Sequence, residues 1–495
     1  MGSDSTLLGR WLSLSTEKRP AVHDAHGTTT WEVLLDRADR VASALLDGRT
    51  SLEGERVGLL VPPGAAFVAC FFGVLRAGGV AVILSPLHPA PETRYFCDDA
   101  GVRTLVASAD LAAHLAPVAT GRRVLLAETL VIALRAPLAA STGDDDAALQ
   151  LYTSGTTGKP KGAVITHGNL ATQQALLREA WGWTERDTLL HVLPLHHMHG
   201  LAIAMLSAIG SGAATRFLGS FDARLTWDAM ADATVLMAVP TIHARLFAAF
   251  DAADPRTRET WSRHASALRL VTSGSAALPV TVGERWRTLA GAYPLERFGM
   301  TEIGVGTSNP LEPSGRRPGS VGRPLSTVQT RVVDDELWIA GPSVFASYHG
   351  KPEATRDAFV LDGATRWFKT GDTVAVEADG YVRILGRTSV DILKSGGYKL
   401  SALEIEEVLR EHPAVAEVAV VGVPDADWGD RVVACVVPRE GREAECAGDA
   451  LRAFAKERLA PYKVPRTVLT MRELPRNAVG KVVKPALLER VKKLT

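Results

Sequence analysis

Short apolar runs recur through the first three hundred positions, each closed by turn residues and followed by a stretch with helical spacing. Val57–Val61 predicts a strand, Ala66–Arg76 a helix and Val80–Leu84 a second strand. Leu189–Leu193, Thr234–Val239 and Leu268–Thr272 predict further strands, and Asn169–Trp181, Thr241–Phe250 and Val280–Leu289 predict helices that follow or separate them. Apolar strands alternating with helices imply parallel sheets covered by helices. Ligands of such sheets bind where strands end and loops begin.

After about residue 330 the pattern changes. Arg331–Val333 and Leu337–Ala340 predict antiparallel strands turning at Asp334-Asp335, and Tyr381–Leu385 another short strand. Past Gly386 a compact unit begins. Ser401-Ala-Leu-Glu404 is a capping-box pattern that opens an amphipathic helix through Arg410. Strands at Val415–Val421 and Arg431–Val437 and a helix around Asp449–Leu459 complete it. At 495 residues the chain exceeds one hydrophobic core. The expected architecture is α/β: a large N-terminal domain of several subdomains with parallel-rich sheets, residues 1–386, and a small α/β domain, residues 387–495.

Composition narrows the function classes. Lys+Arg and Asp+Glu balance at 55 each, so no global field favours nucleic acid or an anionic membrane. The longest apolar stretches, Ala66–Leu75 and Leu201–Ile209, are too short to span a bilayer, and neither end carries a basic-then-apolar targeting segment. Cys70, Cys97, Cys435 and Cys446 lack CxxC spacing and predict free thiols in a reducing cytoplasm.

Residues 151 to 162 read Leu-Tyr-Thr-Ser-Gly-Thr-Thr-Gly-Lys-Pro-Lys-Gly. The run Leu149–Tyr152 predicts a strand delivering the chain into a loop of hydroxyls, glycines and lysines. Glycines let backbone N–H groups approach an anion, hydroxyls donate to it and lysines neutralise it. The loop suits a polyphosphate, yet it is not a Walker loop, because Thr153 and Pro160 break that pattern. The whole string resembles the signature loop of the adenylate-forming superfamily, which contains acyl-CoA synthetases, peptide-synthetase adenylation domains and luciferases.

That resemblance covers most of the chain, and it assigns expectations residue by residue. Thr153, Ser154, Gly155, Thr156, Thr157, Gly158 and Lys159 would hold the ATP phosphates. In Arg297-Phe-Gly-Met-Thr-Glu302, Phe298 would lie against adenine beside Gly299 and Met300, Thr301 would contact the α-phosphate and Glu302 would hold Mg²⁺. Ser273-Gly-Ser-Ala-Ala277 would line adenine and acyl group through Ser273, Ser275, Ala276 and Ala277. Asp372 would bind both ribose hydroxyls, and Arg387 the ribose or phosphates. Ser389 stands at the usual hinge position, with Asp391 the competing candidate. Gly396, Gly397 and Tyr398 would line the CoA passage. Lys481, in Asn-Ala-Val-Gly-Lys, would be the catalytic lysine of a mobile C-terminal domain.

His196, His197 and His199 are crowded enough to suggest zinc, but no second ligand cluster accompanies them. The resemblance instead sets this segment beside the substrate carboxylate, through His199 or His197. Arg297 should face the acyl pocket. Either Glu296 or another acid neutralises it, or the substrate brings a second carboxylate. Arg245 is a further candidate contact, with a structural role as the other reading. The frame Glu296-Arg-Phe-Gly-Met-Thr-Glu302 and the segment Ser273-Gly-Ser-Ala-Ala-Leu-Pro279 resemble those of malonyl-CoA synthetases. The resemblance therefore implies a ligase for a small dicarboxylic acid, malonate or methylmalonate, using Mg²⁺, ATP and CoA. The alternatives are an adenylation enzyme loading an amino or other acid onto a carrier protein, and a nucleotide sensor without catalysis.

Overall fold

The computed structural model of the chain describes residues 6–136, 138, 142–153, 160–396, 398–425, 428–476 and 482–494. By internal packing it divides into two units, Met1–Gln329 with Ile339–Phe368, and Thr330–Trp338 with Lys369–Thr495. The junction at Gly386 lies within the second unit by this partition.

In the first unit the predicted strands form with slightly shifted ends. One sheet runs, edge to edge, Arg323–Pro324, Gly304–Ser308, Leu295–Met300, Leu270–Ser273, Val235–Ala238, Thr188–His191, Ala214–Phe217, Pro20–Asp24 and Gly27–Thr30. It is parallel from Leu295–Met300 to Pro20–Asp24 and antiparallel at Gly304–Ser308. A second sheet holds Arg123–Leu126, Thr104–Ala107, Arg56–Leu60, Val80–Ile83 and Ala147–Thr153 in parallel, then turns antiparallel through Lys161–Thr166 and Ser347–Tyr348. Val80–Ile83 and Val235–Ala238 are buried at every position, as strands covered on both faces must be. Helices Ala65–Arg76, His167–Trp181, Pro240–Asp251 and Val280–Ala290 stand where helical spacing predicts them. The apolar stretch from Leu201 is different: His199–Met205 forms a π-helix, which continues as Leu206–Gly210. Among the described residues, no helix is long and apolar enough to cross a membrane.

The second unit contains the predicted turn at Asp334-Asp335, where both residues have positive φ (51° and 68°), the conformation of a tight hairpin. Helix Ala402–Arg410 starts at Ser401, whose side chain accepts the Glu404 N–H. Strands Val415–Asp425 and Gly429–Pro438 pair antiparallel along their length. Their alternation feeds two cores. Val418 and Val420 join Ile405, Leu409 and Leu451 on one face, while Ala419 and Val421 join Leu487 and Val491 on the other.

Candidate functional site

In the first unit, strand Ala147–Thr153 carries the chain to the glycine-rich loop and Lys161–Thr166 takes it back, with Thr153 opposite Lys161. Ser154, Gly155, Thr156, Thr157, Gly158 and Lys159 lie outside the described residues. The base of the loop is well packed. A Cβ on Gly162 would lie 2.4 Å from Gln150 Nε2, so any larger residue where the returning strand passes must displace the buried amide. Lys161 Nζ sits 4.7 Å from the centre of the Tyr348 ring, a cation–π contact. The Tyr348 hydroxyl donates to Glu302 Oε1 at 2.8 Å. Tyr348 thus joins the loop base to the acidic residue. Sequence reasoning missed it because a two-residue strand, Ser347–Tyr348, leaves no periodic signal.

Glu302 is buried, and Phe298, Gly299, Met300 and Thr301 ahead of it are half-buried. A bulge separates Phe298 from Gly299, where a Cβ would lie 2.1 Å from the Gly304 carbonyl oxygen. Only glycine permits that close return. A single buried carboxylate suits Mg²⁺, which takes most of its ligands from phosphates and water. Among the described residues no group of three or more His, Cys, Asp or Glu side chains could hold a metal ion by itself.

Alternation along strand Leu295–Met300 sends Glu296 and Arg297 to opposite faces. Glu296 Oε1 accepts the Gly319 N–H at 2.9 Å, on the face away from Arg297. Arg297 is 3% exposed, and its Nε and Nη2 have no hydrogen-bond partner among the described residues. Burial, with no acid opposing it, pushes its guanidinium down to about 9, which leaves it charged at pH 7. It lies flat against Gly274, where a Cβ would come within 2.5 Å of Cζ and Nε. Ser273, just before that glycine, is buried and its Oγ is likewise unpartnered among the described residues. Ser275 takes a left-handed φ of 69°, uncommon for serine, and its hydroxyl meets His199 Nδ1 at 3.2 Å. Ala276 and Ala277 are exposed. His196 packs between His88 and His197, and burial with those two neighbours pushes it down to about 2. Arg245 joins none of these contacts: it is exposed, with its guanidinium over Phe221 at 4.6 Å.

In the second unit, Asp372 and Arg387 stand opposite each other on strands Thr365–Val376 and Val382–Arg387. Arg387 Nε lies 3.3 Å from Asp372 Oδ1, and its Nη1 donates to the Thr370 carbonyl at 2.7 Å. Asp372 is buried, so its carboxylate is fixed in place. At the proposed junction, Asp391 Oδ2 accepts the Arg387 N–H at 3.0 Å, and a Cβ on Gly386 would lie 2.4 Å from Asp391 Cβ. Ser389 is exposed on the same turn. A Cβ on Gly396 would lie 3.1 Å from the Trp428 ring, and Tyr398 stacks on Tyr462 with ring centres 4.3 Å apart. Gly397 and Lys481 lie outside the described residues.

Residues 12–349 match the AMP-binding enzyme family, and residues 404–481 match the AMP-binding enzyme C-terminal domain. The chain belongs to the AMP-binding enzyme family. Within the family it is 39% identical to the mitochondrial malonate–CoA ligase of Homo sapiens, over 96% of this chain and 90% of that one. The crystal structure of ATP-bound MatB from Rhodopseudomonas palustris is similar with a TM-score of 0.89 and 35% identity, covering 99% of each chain. A malonyl-CoA ligase ternary product complex with methylmalonyl-CoA and AMP bound is similar with a TM-score of 0.70 and 36% identity, covering 94% of this chain and 99% of that one. The adenylate-forming resemblance of the sequence and its α/β architecture are thereby borne out.

Proposed function

We propose that this member of the AMP-binding enzyme family is a malonate–CoA ligase, with methylmalonate as a second substrate. The observation that carries the reading is Arg297, a buried cation with no acid to neutralise it among the described residues. A distal carboxylate would meet it, the planar guanidinium binding through two parallel hydrogen bonds. A monocarboxylate would leave the cation desolvated and unanswered. The human relative's name supports the same acid.

In the first half-reaction a carboxylate oxygen of malonate attacks the α-phosphorus of ATP, and the bond to pyrophosphate breaks. Thr301 and Lys481 would stabilise charge on the α-phosphate, and the loop Thr153–Lys159 would hold the departing phosphates. Bound at Glu302, Mg²⁺ would neutralise phosphate charge. Asp372 would bind the ribose hydroxyls, Arg387 would anchor the nucleotide, and Phe298 would lie against adenine with Ser275, Ala276 and Ala277. His199, held by Ser275, would line the acid's reacting end. In the second half-reaction the CoA thiolate, entering past Gly396, Gly397 and Tyr398, attacks the acyl carbon and AMP leaves. A turn of the C-terminal domain about Ser389 or Asp391 would separate the steps, letting one site exclude water first and admit a thiol later. Four buried free cysteines fit a reducing compartment, and we place the enzyme in the cytoplasm.

Pyrophosphate exchange with acetate, butyrate, malonate, methylmalonate and succinate tests the reading. Malonate should lead, and Arg297→Ala should reduce malonate turnover by ~2–5 kcal/mol, the range for breaking a desolvated charge pair, while moving acetate far less. If acetate or butyrate outran malonate in the unaltered enzyme, the assignment would be wrong.

A further inference from the structure

Within the second unit lies a group of buried charges outside the contacts described above. Lys484 opens helix Lys484–Lys492 with its side chain 11% exposed and meets two carboxylates, Asp391 and, at 2.7 Å, Glu406. Glu406 Oε1 also accepts the Val420 N–H at 2.8 Å. Burial opposes the charge on Lys484, yet Glu406 and Asp391 more than offset it and hold the ammonium above its usual value. As plain stabilisation this is a poor choice, since apolar side chains of similar volume do as well or better. What apolar side chains cannot do is fix one segment in register with another.

The two ends of the cluster are informative. Asp391 is locked onto the junction turn: its Oδ2 accepts the Arg387 N–H, and its backbone N–H donates to the Arg387 carbonyl at 2.8 Å. Arg387 in turn reaches Asp372. At the other end, Arg476 and Val482 form a bridge, and the Val483 N–H donates to the Pro475 carbonyl at 2.8 Å. A base formed by Pro475, Arg476, Val482 and Val483 is therefore closed immediately before Lys484. A continuous line of contacts runs from that base through Lys484, Asp391 and Arg387 to Asp372.

We propose that Lys484 is a positioning residue: with Asp391 and Glu406 it fixes the Arg476–Val482 bridge, which flanks Lys481 in sequence, in register with the Gly386–Asp391 turn, and so with the proposed nucleotide contacts Arg387 and Asp372. The proposal rests on the reading that Lys481 serves adenylation and not thioester formation. The two half-reactions should therefore respond differently.

The test uses the full chain with Lys484→Met, Lys484→Arg and Glu406→Gln. One readout is malonate-dependent pyrophosphate exchange; the other is malonyl-CoA formed from synthetic malonyl-adenylate and CoA. Lys484→Met should lower exchange about a hundredfold, as a misplaced catalytic group does, and leave the thioester step within about threefold. Lys484→Arg should restore most of the exchange. Glu406→Gln, which retains an acceptor for Val420, should show the same partition more weakly and serves if Lys484→Met is insoluble. If both half-reactions fell by the same factor, or neither fell, the positioning role would be overturned while the ligase reading stood. If the unaltered enzyme gave no malonate-dependent exchange, the ligase reading would fall and the proposal with it.

Discussion

At the scale of single residues, the proposed acid-binding site depends on one pair, Arg297 and the glycine it packs against. The sequence singles out Arg297 by its place ahead of Phe-Gly-Met-Thr-Glu, but two fates remained open there. Strand alternation turns Glu296 toward Gly319, which supports the substrate reading. Gly274 lay inside a recognised segment, yet its use was not legible, because its neighbour comes from another strand. Gly274→Ala should therefore act as a substrate-pocket mutation: the added Cβ, 2.5 Å from the guanidinium carbon, forces Arg297 off its resting plane. Overpacking of roughly 1–3 kcal/mol corresponds to a malonate KM raised about ten- to a hundredfold, with acetate little changed. Steady-state kinetics on both acids check this, and an unmoved malonate KM would sink it.

At the scale of elements, the long strands and helices were legible because their apolar spacing persists over several residues. The connections that shape the site were less so. The run Leu149–Tyr152 announces a strand entering the loop, but the antiparallel return at Lys161–Thr166 and the short strand Ser347–Tyr348 depend on pairing between distant segments. Those two pairings bring Lys161, Tyr348 and Glu302 together. Tyr348→Phe keeps the ring beneath Lys161 and removes only the hydrogen bond to the carboxylate. Such a bond to a charged group is worth about 1.5–3 kcal/mol, so the KM for Mg·ATP should rise roughly ten- to a hundredfold while that for malonate holds. Titrating ATP at saturating malonate measures it; an unchanged ATP KM would detach Tyr348 from the nucleotide site.

At the scale of the whole molecule, the alternating pattern conveyed parallel sheets and a small C-terminal α/β unit. It could not convey that residues 330–338 pack with that unit, because such packing is non-local. Stability carries a signature of the first unit's buried imidazoles. Burial pushes His167, His191 and His243 down to about 4. A base depressed in the folded state binds its proton more readily when unfolded, so stability is full above the ordinary histidine range and drains as pH falls toward 4. At pH 5 the loss is on the order of 2 kcal/mol for each of them. The urea midpoint should drop clearly between pH 7 and pH 5, and a flat profile would contradict neutral burial. Finally, acidic and basic residues balance at 55 each, yet Arg297 carries a charge that nothing near it among the described residues balances. On the proposed reading, fidelity comes from that imbalance rather than from a steric barrier. Acetate is small enough to enter but leaves the cation unanswered, and sites that demand a polar partner reject ligands lacking it by about 10⁴–10⁵. The abundant monocarboxylates of a cell are thus refused for what they fail to bring.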